Sequence, residues 1–284
     1  MAFTSSESWT ILSPIEQRIK AKIEAVGTPL KDWAISINYG IKTGCNDAFI
    51  ISGAKKDELI AADPKSAEII RPILRGRDIK RYEYNFADLW LIATFPSRNY
   101  NIDDYPAVRD YLLSYGIERL EQTGKTHAVN GKSFKARKKT NNKWFETQDS
   151  IKYWNDFFKP KIVYREISTA MDACLVEPGI MLNNKCYLIT GDHLEYLLVF
   201  FNSSLFTKII LPQVNITGGK GEGFLSTVYA KVPSLDEECY IKTLLKQRSS
   251  ADNAEALKDI DAKIDAIIMD IYGLTETEKT YLFS

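Results

Sequence analysis

"IIRPILRGRDIKRY", residues 69–82, carries Arg71, Arg75, Arg77, Lys80 and Arg81 against one acid, Asp78. The chain around it is neutral, with 37 basic and 37 acidic residues among 284. Positive charge is therefore concentrated locally, and the placement of charge, not its sum, decides what such a patch can hold. Ile69, Ile70, Ile73 and Leu74 read as the anchor of this stretch in a core. The preceding "KKDELIAADPKSAEIIRPIL" reads as helical with a break at Pro64, and Gly76 ends the helix among the cations. A turn there fans the long side chains outward. Two readings of the turn stand side by side: contacts to phosphate, which arginine forks suit, or a solvated turn whose arginines pair with Asp78 and Glu83.

The composition is that of an ordinary globular protein, 45% hydrophobic and 26% charged, with enough apolar material for a sizeable core. No run of 18 or more apolar residues is present, so no membrane span is expected. "MAFTSSESWT" lacks the basic and apolar regions of a signal peptide. Cys45, Cys174, Cys186 and Cys239 are scattered without a CxxC pair, and His127 and His193 lie far apart. Reduced, buried cysteines, a cytoplasmic location and no structural zinc site are the expectations.

Elsewhere, "SPIEQRIKAKIEAVG" reads as a complete helix. Ser13 is its N-cap, Pro14 its first residue, Glu16 the partner in a capping box and Gly27 the stop. "AISINYGIKTGCNDAFIIS" reads as two strands joined by a glycine turn, and "DLWLIATFP" as a strand. "DDYPAVRDYLLSYGIERLEQTG" reads as helix broken at Gly116. "KPKIVYREIS" returns to strand. "DACLVEPGIMLNNKCYLIT" reads as two strands, and "DHLEYLLVFFNSSLFTKIIL" as a central apolar helix. Leu257, Ile260, Ile264, Ile267, Ile268 and Ile271 recur at helical spacing near the C-terminus, Gly273 ends that helix, and Thr275 with Glu278 caps a last one. Short strands and separated helices together predict an α+β fold with a mixed sheet and amphipathic helices at both ends.

No catalytic centre is legible. "GIKTG" fails the phosphate-loop spacing, and "GGKGEGF" follows a helix instead of bridging strand and helix. Asp236, Glu237, Glu238 and Lys242 form a metal-nuclease candidate only in linear sequence, and acids opening a helix are the simpler reading. Nucleic acid is the better supported partner. Residues 125–143, "KTHAVNGKSFKARKKTNNK", form a long polar connection with seven Lys or Arg and no acid. Lys125, Lys132, Lys135, Arg137, Lys138, Lys139 and Lys143 interleave with Phe134 and, just beyond, Trp144. Asn130, Asn141 and Asn142 can bond base edges. Release of counterions drives such segments onto polyanions.

In order and spacing, "NYGIKTGCNDAFII", "IIRPILRGRDIKRY", "KPKIVYREIS", "KCYLIT", "LEYLLVFFNSSLF" and "VYAKVPS" resemble one family. It is the TaqI-like C-terminal specificity domain, the target-recognition domain of type IIG restriction-modification enzymes and adenine-N6 DNA methyltransferases. The resemblance spans roughly residues 33–233, and "IYGLTETEKTYL" resembles the way such proteins end. It implies a connecting helix over 1–32, a target-recognition domain over 33–235 and a helical segment over 236–284. It also implies double-stranded DNA as partner, with a methyltransferase domain in the same polypeptide or a separate subunit. S-adenosylmethionine and magnesium are implied for the complete enzyme and no cofactor for this chain. The Asn-Pro-Pro-Tyr tetrad that holds an extruded adenine is absent, so the chain looks like a recognition portion without catalytic residues, and "MA" before "FTSSESWT" fits a start inside a longer protein. The implied DNA-binding residues are Lys42, Thr43, Asn46, Arg75, Arg77, Lys80, Arg81, Lys135, Arg137, Lys138, Lys139, Asn141, Asn142 and Lys143. Arg137, Asn141, Asn142 and Lys143 are the favoured base readers. The alternatives are a partner-docking specificity subunit and a metal-dependent nuclease.

Overall fold

The computed structural model describes residues 12–129, 132–165, 171–216, 224 and 227–283. Asn130 and most of the glycine-rich stretch 215–224 lie outside them. Ten helices are described: α1 (Pro14–Val26), α2 (Asn46–Phe49), α3 (Gly53–Ala62), α4 (Pro106–Leu113), α5 (Ile117–Leu120), α6 (Leu194–Phe201), α7 (Leu211–Ile216), α8 (Leu235–Ser249), α9 (Ala254–Ile271) and α10 (Glu276–Phe283). Both expected capping boxes form. Ser13 N–H donates to the Glu16 carboxylate over 2.6 Å and Thr275 N–H to that of Glu278 over 2.8 Å, with the reverse bonds to each hydroxyl.

Twelve strands accompany them: β1 (Thr28–Pro29), β2 (Ile35–Tyr39), β3 (Ile50–Ser52), β4 (Ile70–Leu74), β5 (Leu89–Ile92), β6 (Thr126–Val129), β7 (Lys132–Lys135), β8 (Lys161–Arg165), β9 (Ala173–Val176), β10 (Met181–Leu182), β11 (Cys186–Gly191) and β12 (Tyr229–Ala230). The first sheet has the order β2–β11–β8–β9 and is antiparallel throughout. The second has the order β10–β4–β5–β3, with β10 parallel to β4. β1 with β12, and β6 with β7, make two-stranded ladders. The fold is α+β.

The first sheet divides the interior. Successive side chains of a strand point to opposite faces, and here both faces are buried. Ile162 and Tyr164 of β8 and Ile189 of β11 enter a core built by α1, α6, α8, α9 and α10. Val163, Cys186 and Leu188 enter a second core shared with β4, β5 and α4. Strands covered on both faces read as near-continuous apolar runs, which is why "KIVYR" and "CYLIT" show no alternation.

Several expectations are corrected. Residues 70–74 form a strand, not the end of a helix, since Pro72 has no amide hydrogen to donate within a helix. β10 pairs only Ile73 and Leu74, so Pro72 stands beyond the reach of that neighbour. The strands flanking the 40–44 turn are no hairpin, for β2 and β3 belong to different sheets. Residues 173–191 hold three strands, not two. The central helix breaks after Phe201 and resumes through a π-helical turn, Phe206–Ile210, into α7. Asn202 is drawn out of it by hydrogen bonds to both backbone groups of Ala173, at 2.8 and 3.0 Å. Residues 126–129 and 132–135 pair as an antiparallel β-ladder within the expected polar connection. Cys174 and Cys186 are buried, whereas Cys239 is exposed on α8. No single described helix is long and apolar enough to cross a membrane.

Candidate nucleic-acid interface

Three turns from distant parts of the sequence meet at one end of the two sheets. The 40–46 turn follows β2, the 75–81 turn follows β4, and the 183–185 turn joins β10 to β11. Backbone bonds stitch them together: Gly40 N to Cys186 O (2.8 Å), Ile41 N to Leu182 O (2.7 Å) and Asn183 N to Leu74 O (2.9 Å). Gly40 permits this approach, because a Cβ there would lie 1.9 Å from the Asn183 carbonyl oxygen. Gly76 faces Lys185 in the same way, with a Cβ only 3.1 Å from that backbone.

A fourth segment closes the ridge. Gln148 N and Asp149 N both donate to Lys42 O, at 3.1 and 3.2 Å, and the Asp149 carboxylate accepts from Lys42 N at 3.0 Å. Burial pushes the Asp149 carboxyl up from its ordinary value, with Lys42 opposing the shift. Arg137 fixes the segment from beneath. Its Nε donates to Leu120 O (2.7 Å), Nη1 to Thr43 O (2.9 Å) and Glu146 O (2.7 Å), and Nη2 to Trp144 O (2.5 Å). The guanidinium carbon lies 5.0 Å from the centroid of the Phe49 ring. With the side chain 4% exposed, burial lowers its pKa to about 10.

This geometry divides the expected DNA-binding residues. Lys42, Asn46, Arg77, Lys80, Lys135, Lys138, Lys139, Asn141 and Lys143 are exposed. Among the described residues, none of the seven cations in that set makes an ion pair. Lys143 sits 5.5 Å from the Phe145 ring centroid.

The other five are corrected. Arg137 is no base reader, because backbone carbonyls hold its guanidinium inside the fold. Thr43, 1% exposed, is turned inward, donating to Asn46 Oδ1 and accepting from Cys45 N. Asn142 spends its amide on Gln122 Oε1, Thr147 O and Gln148 O. Arg75 forks onto the buried Asp78 carboxylate at 2.9 and 2.8 Å, and this bond raises its pKa. Arg81 pairs with Asp261 at 2.5 Å and donates to Asn202 O. The solvated-turn reading thus fits Arg75 in the first stretch, and the phosphate reading is left with Arg77 and Lys80. Sequence reasoning did not single out Lys185 or Asp149 of this ridge, which nothing in the linear pattern marks.

The acids of 236–242 lie elsewhere. Glu237 caps α8 through Ser234 and pairs with Lys231. Glu238 faces His193 and Lys242, each at 3.5 Å. The last three line a cleft of about 640 Å³ beside Gly191, at the end of β11 away from the turns. Among the described residues no group of three or more His, Cys, Asp or Glu is arranged to hold a metal ion.

Comparison with solved structures gives similarity to the type IIL restriction-modification enzyme MmeI in complex with DNA. The TM-score is 0.53 at 14% identity, over 90% of this chain and 35% of that one. Similarity to the type IIG restriction endonuclease BpuSI has a TM-score of 0.44 at 12% identity, over 92% of this chain and 34% of that one. The chain thus spans about a third of the length of either structure. No curated protein matches it at a significant level. The model of the TaqI-like C-terminal specificity domain matches residues 71–220, which is more than half of the sequence and takes in all but the first residue of β4, the basic turn after it, the β6–β7 ladder and three of the four strands of the dividing sheet, β8, β9 and β11. The chain belongs to the TaqI-like C-terminal specificity domain family.

Proposed function

We propose that the chain is the DNA target-recognition module of a restriction-modification enzyme, holding duplex DNA for adenine-N6 methylation by a domain outside these residues. One observation carries this reading beyond family membership. The turns of 40–46, 75–81 and 183–185 and the segment 137–149 are bonded into one ridge, and among the described residues its exposed Lys42, Arg77, Lys80, Lys138, Lys139 and Lys143 make no ion pair. On this reading Lys42, Arg77, Lys80, Lys138, Lys139 and Lys143 hold phosphates and set the register of the duplex. Base edges then confer sequence preference. S-adenosylmethionine and magnesium act in the domains that carry out methylation and cleavage. This chain supplies binding and positioning, and the duplex is presented to a neighbour that takes the target adenine out of the stack.

The test is duplex binding by the full chain across a salt series. Each phosphate contact contributes about −0.9 to the slope of log K against log salt. Lys138→Ala with Lys139→Ala should flatten that slope by about 2 without moving the unfolding midpoint. Salt-insensitive binding, or no binding to a random duplex pool, would overturn the proposal.

A further inference from the structure

Two of the four side chains favoured as base readers, Arg137 and Asn142, are bound to the protein itself by hydrogen bonds. The β6–β7 hairpin presents a different set. Its register pairs Thr126 with Lys135, His127 with Phe134 and Ala128 with Ser133. Alternation places His127 and Phe134 together on one face, where their rings stack at 5.7 Å. His127 is further held by Glu121 at 2.8 Å. The other face holds Thr126, Ala128, Ser133 and Lys135, all exposed. Three of these are small, and the fourth is a long cation at the root.

The root is fixed. Gly124 N donates to Arg137 O, Ala136 N to Lys125 O and Thr140 N to Gln122 O, at 2.8 to 3.0 Å. The ladder therefore runs from the hairpin into the segment that Arg137 ties to the 40–46 turn. Lys125, Lys138 and Lys139 flank this root and are exposed.

We infer that the Thr126, Ala128, Ser133 and Lys135 face of this hairpin is the base-reading surface, entering the major groove of B-form DNA. This rests on the proposed DNA-recognition function and names the element that reads. A four-residue arm extends roughly 13 Å at about 3.3 Å per residue. The major groove is about 8.5 Å deep and admits a two-stranded ribbon. Small side chains let the ribbon sit close to the base edges. Hydroxyls of Thr126 and Ser133 can donate or accept there, the Ala128 methyl can meet a thymine methyl, and Lys135 can donate to guanine. The flanking lysines lie where groove-rim phosphates would be. A-form duplexes, with a major groove too narrow for side chains to read, are not expected to receive the ribbon.

The test is selection from a random-sequence duplex pool by the full chain and by Ser133→Ala with Lys135→Ala, sequencing what is retained. Wild type should enrich a motif. The variant should lose preference about tenfold at one or two adjacent positions and keep binding to unselected duplex at low salt within about a factor of three, since the lysines that hold phosphate are untouched. Both positions are exposed, so the unfolding midpoint should not move. A variant that enriches the wild-type motif with equal preference overturns the hairpin's role and leaves DNA recognition standing. Failure of the wild type to bind any duplex overturns both.

Discussion

Arg137 gives up every strong outward contact for four backbone carbonyl oxygens contributed by residues 43, 120, 144 and 146. Carbonyl dipoles and the Phe49 ring, with no carboxylate bonded to it, must offset the cost of burying a cation. Lysine has the charge but not the planar fork that reaches four acceptors. Arg137→Met should therefore destabilise the chain by about 3 kcal/mol or more, through acceptors left without donors, read as a lower urea midpoint at constant m-value. An unchanged midpoint would refute the positioning role. Lys161, 0% exposed, makes a second such prediction. Its Nζ donates to Phe157 O and Glu177 O at 2.9 and 2.7 Å, two acceptors that match the two hydrogens of a neutral amine. Burial lowers its pKa from 10.5 to about 8. Between those values the unfolded chain keeps a proton that the folded chain has released, so stability rises with pH. This gain, up to about 3 kcal/mol, is complete above pH 10.5 and lost as pH falls through 8. Lys161→Met should abolish it, so urea midpoints of variant and wild type at pH 7 and pH 10 decide the point. Neither residue could be placed from sequence. A run of cations shows its charge but not its partners, and one of those for Arg137 lies 94 positions away.

At the scale of elements, the basic turn after β4 is held by the C-terminal helices. Asp261 on α9 bonds Arg81 at 2.5 Å and Arg248 of α8 at 2.7 Å. Both guanidinium carbons lie over the Tyr82 ring, at 4.7 and 4.3 Å from its centroid. Tyr82 itself takes a positive φ of 67°, a backbone state that needs such support. Charge and position then predict opposite signs for one substitution. Removing an acid near a phosphate-binding ridge should strengthen duplex binding by long-range electrostatics. Releasing Arg81 and the turn that carries Arg77 and Lys80 should weaken it. We expect Asp261→Ala to weaken binding several-fold and to lower stability by about 1–3 kcal/mol, because two arginines lose their shared partner. Tighter binding would show that the helices do not set the turn. The elements themselves were legible where caps and periodicity are local, as in α1, α9 and α10. They were misread at β4 and across 126–135, where strand character depends on pairing with residues elsewhere in the chain. The ridge was legible as separate basic turns, but not as a ridge, since Gly40, Asn183 and Leu74 meet only in three dimensions.

Across the whole molecule, the first sheet couples the side that carries the turns to the side that carries the helices. Leu188 and Ile189 are neighbours on β11, both fully buried, and they enter opposite cores. A cavity on either face leaves the shared backbone with fewer contacts to hold its hydrogen-bonded register. If the sheet is the common wall that the packing implies, neither core keeps its structure once the other is lost. Leu188→Ala and Ile189→Ala should each cost about 2–5 kcal/mol, and each should shift one cooperative transition. Two probes separate the cores. Helix content, followed by circular dichroism, is dominated by α1 and α6 to α10. Tryptophan emission is weighted toward Trp90, Trp144 and Trp154, which pack on the opposite core. Coincident transitions in both variants would mean that the ridge and the helices that hold the 75–81 turn form one folding unit. Two resolved transitions, with Ile189→Ala moving only the helical signal, would mean that the recognition face can remain folded while the C-terminal helices open. The clamp at Asp261 would then be a contact between separable parts, and duplex binding would survive conditions that melt α8 and α9.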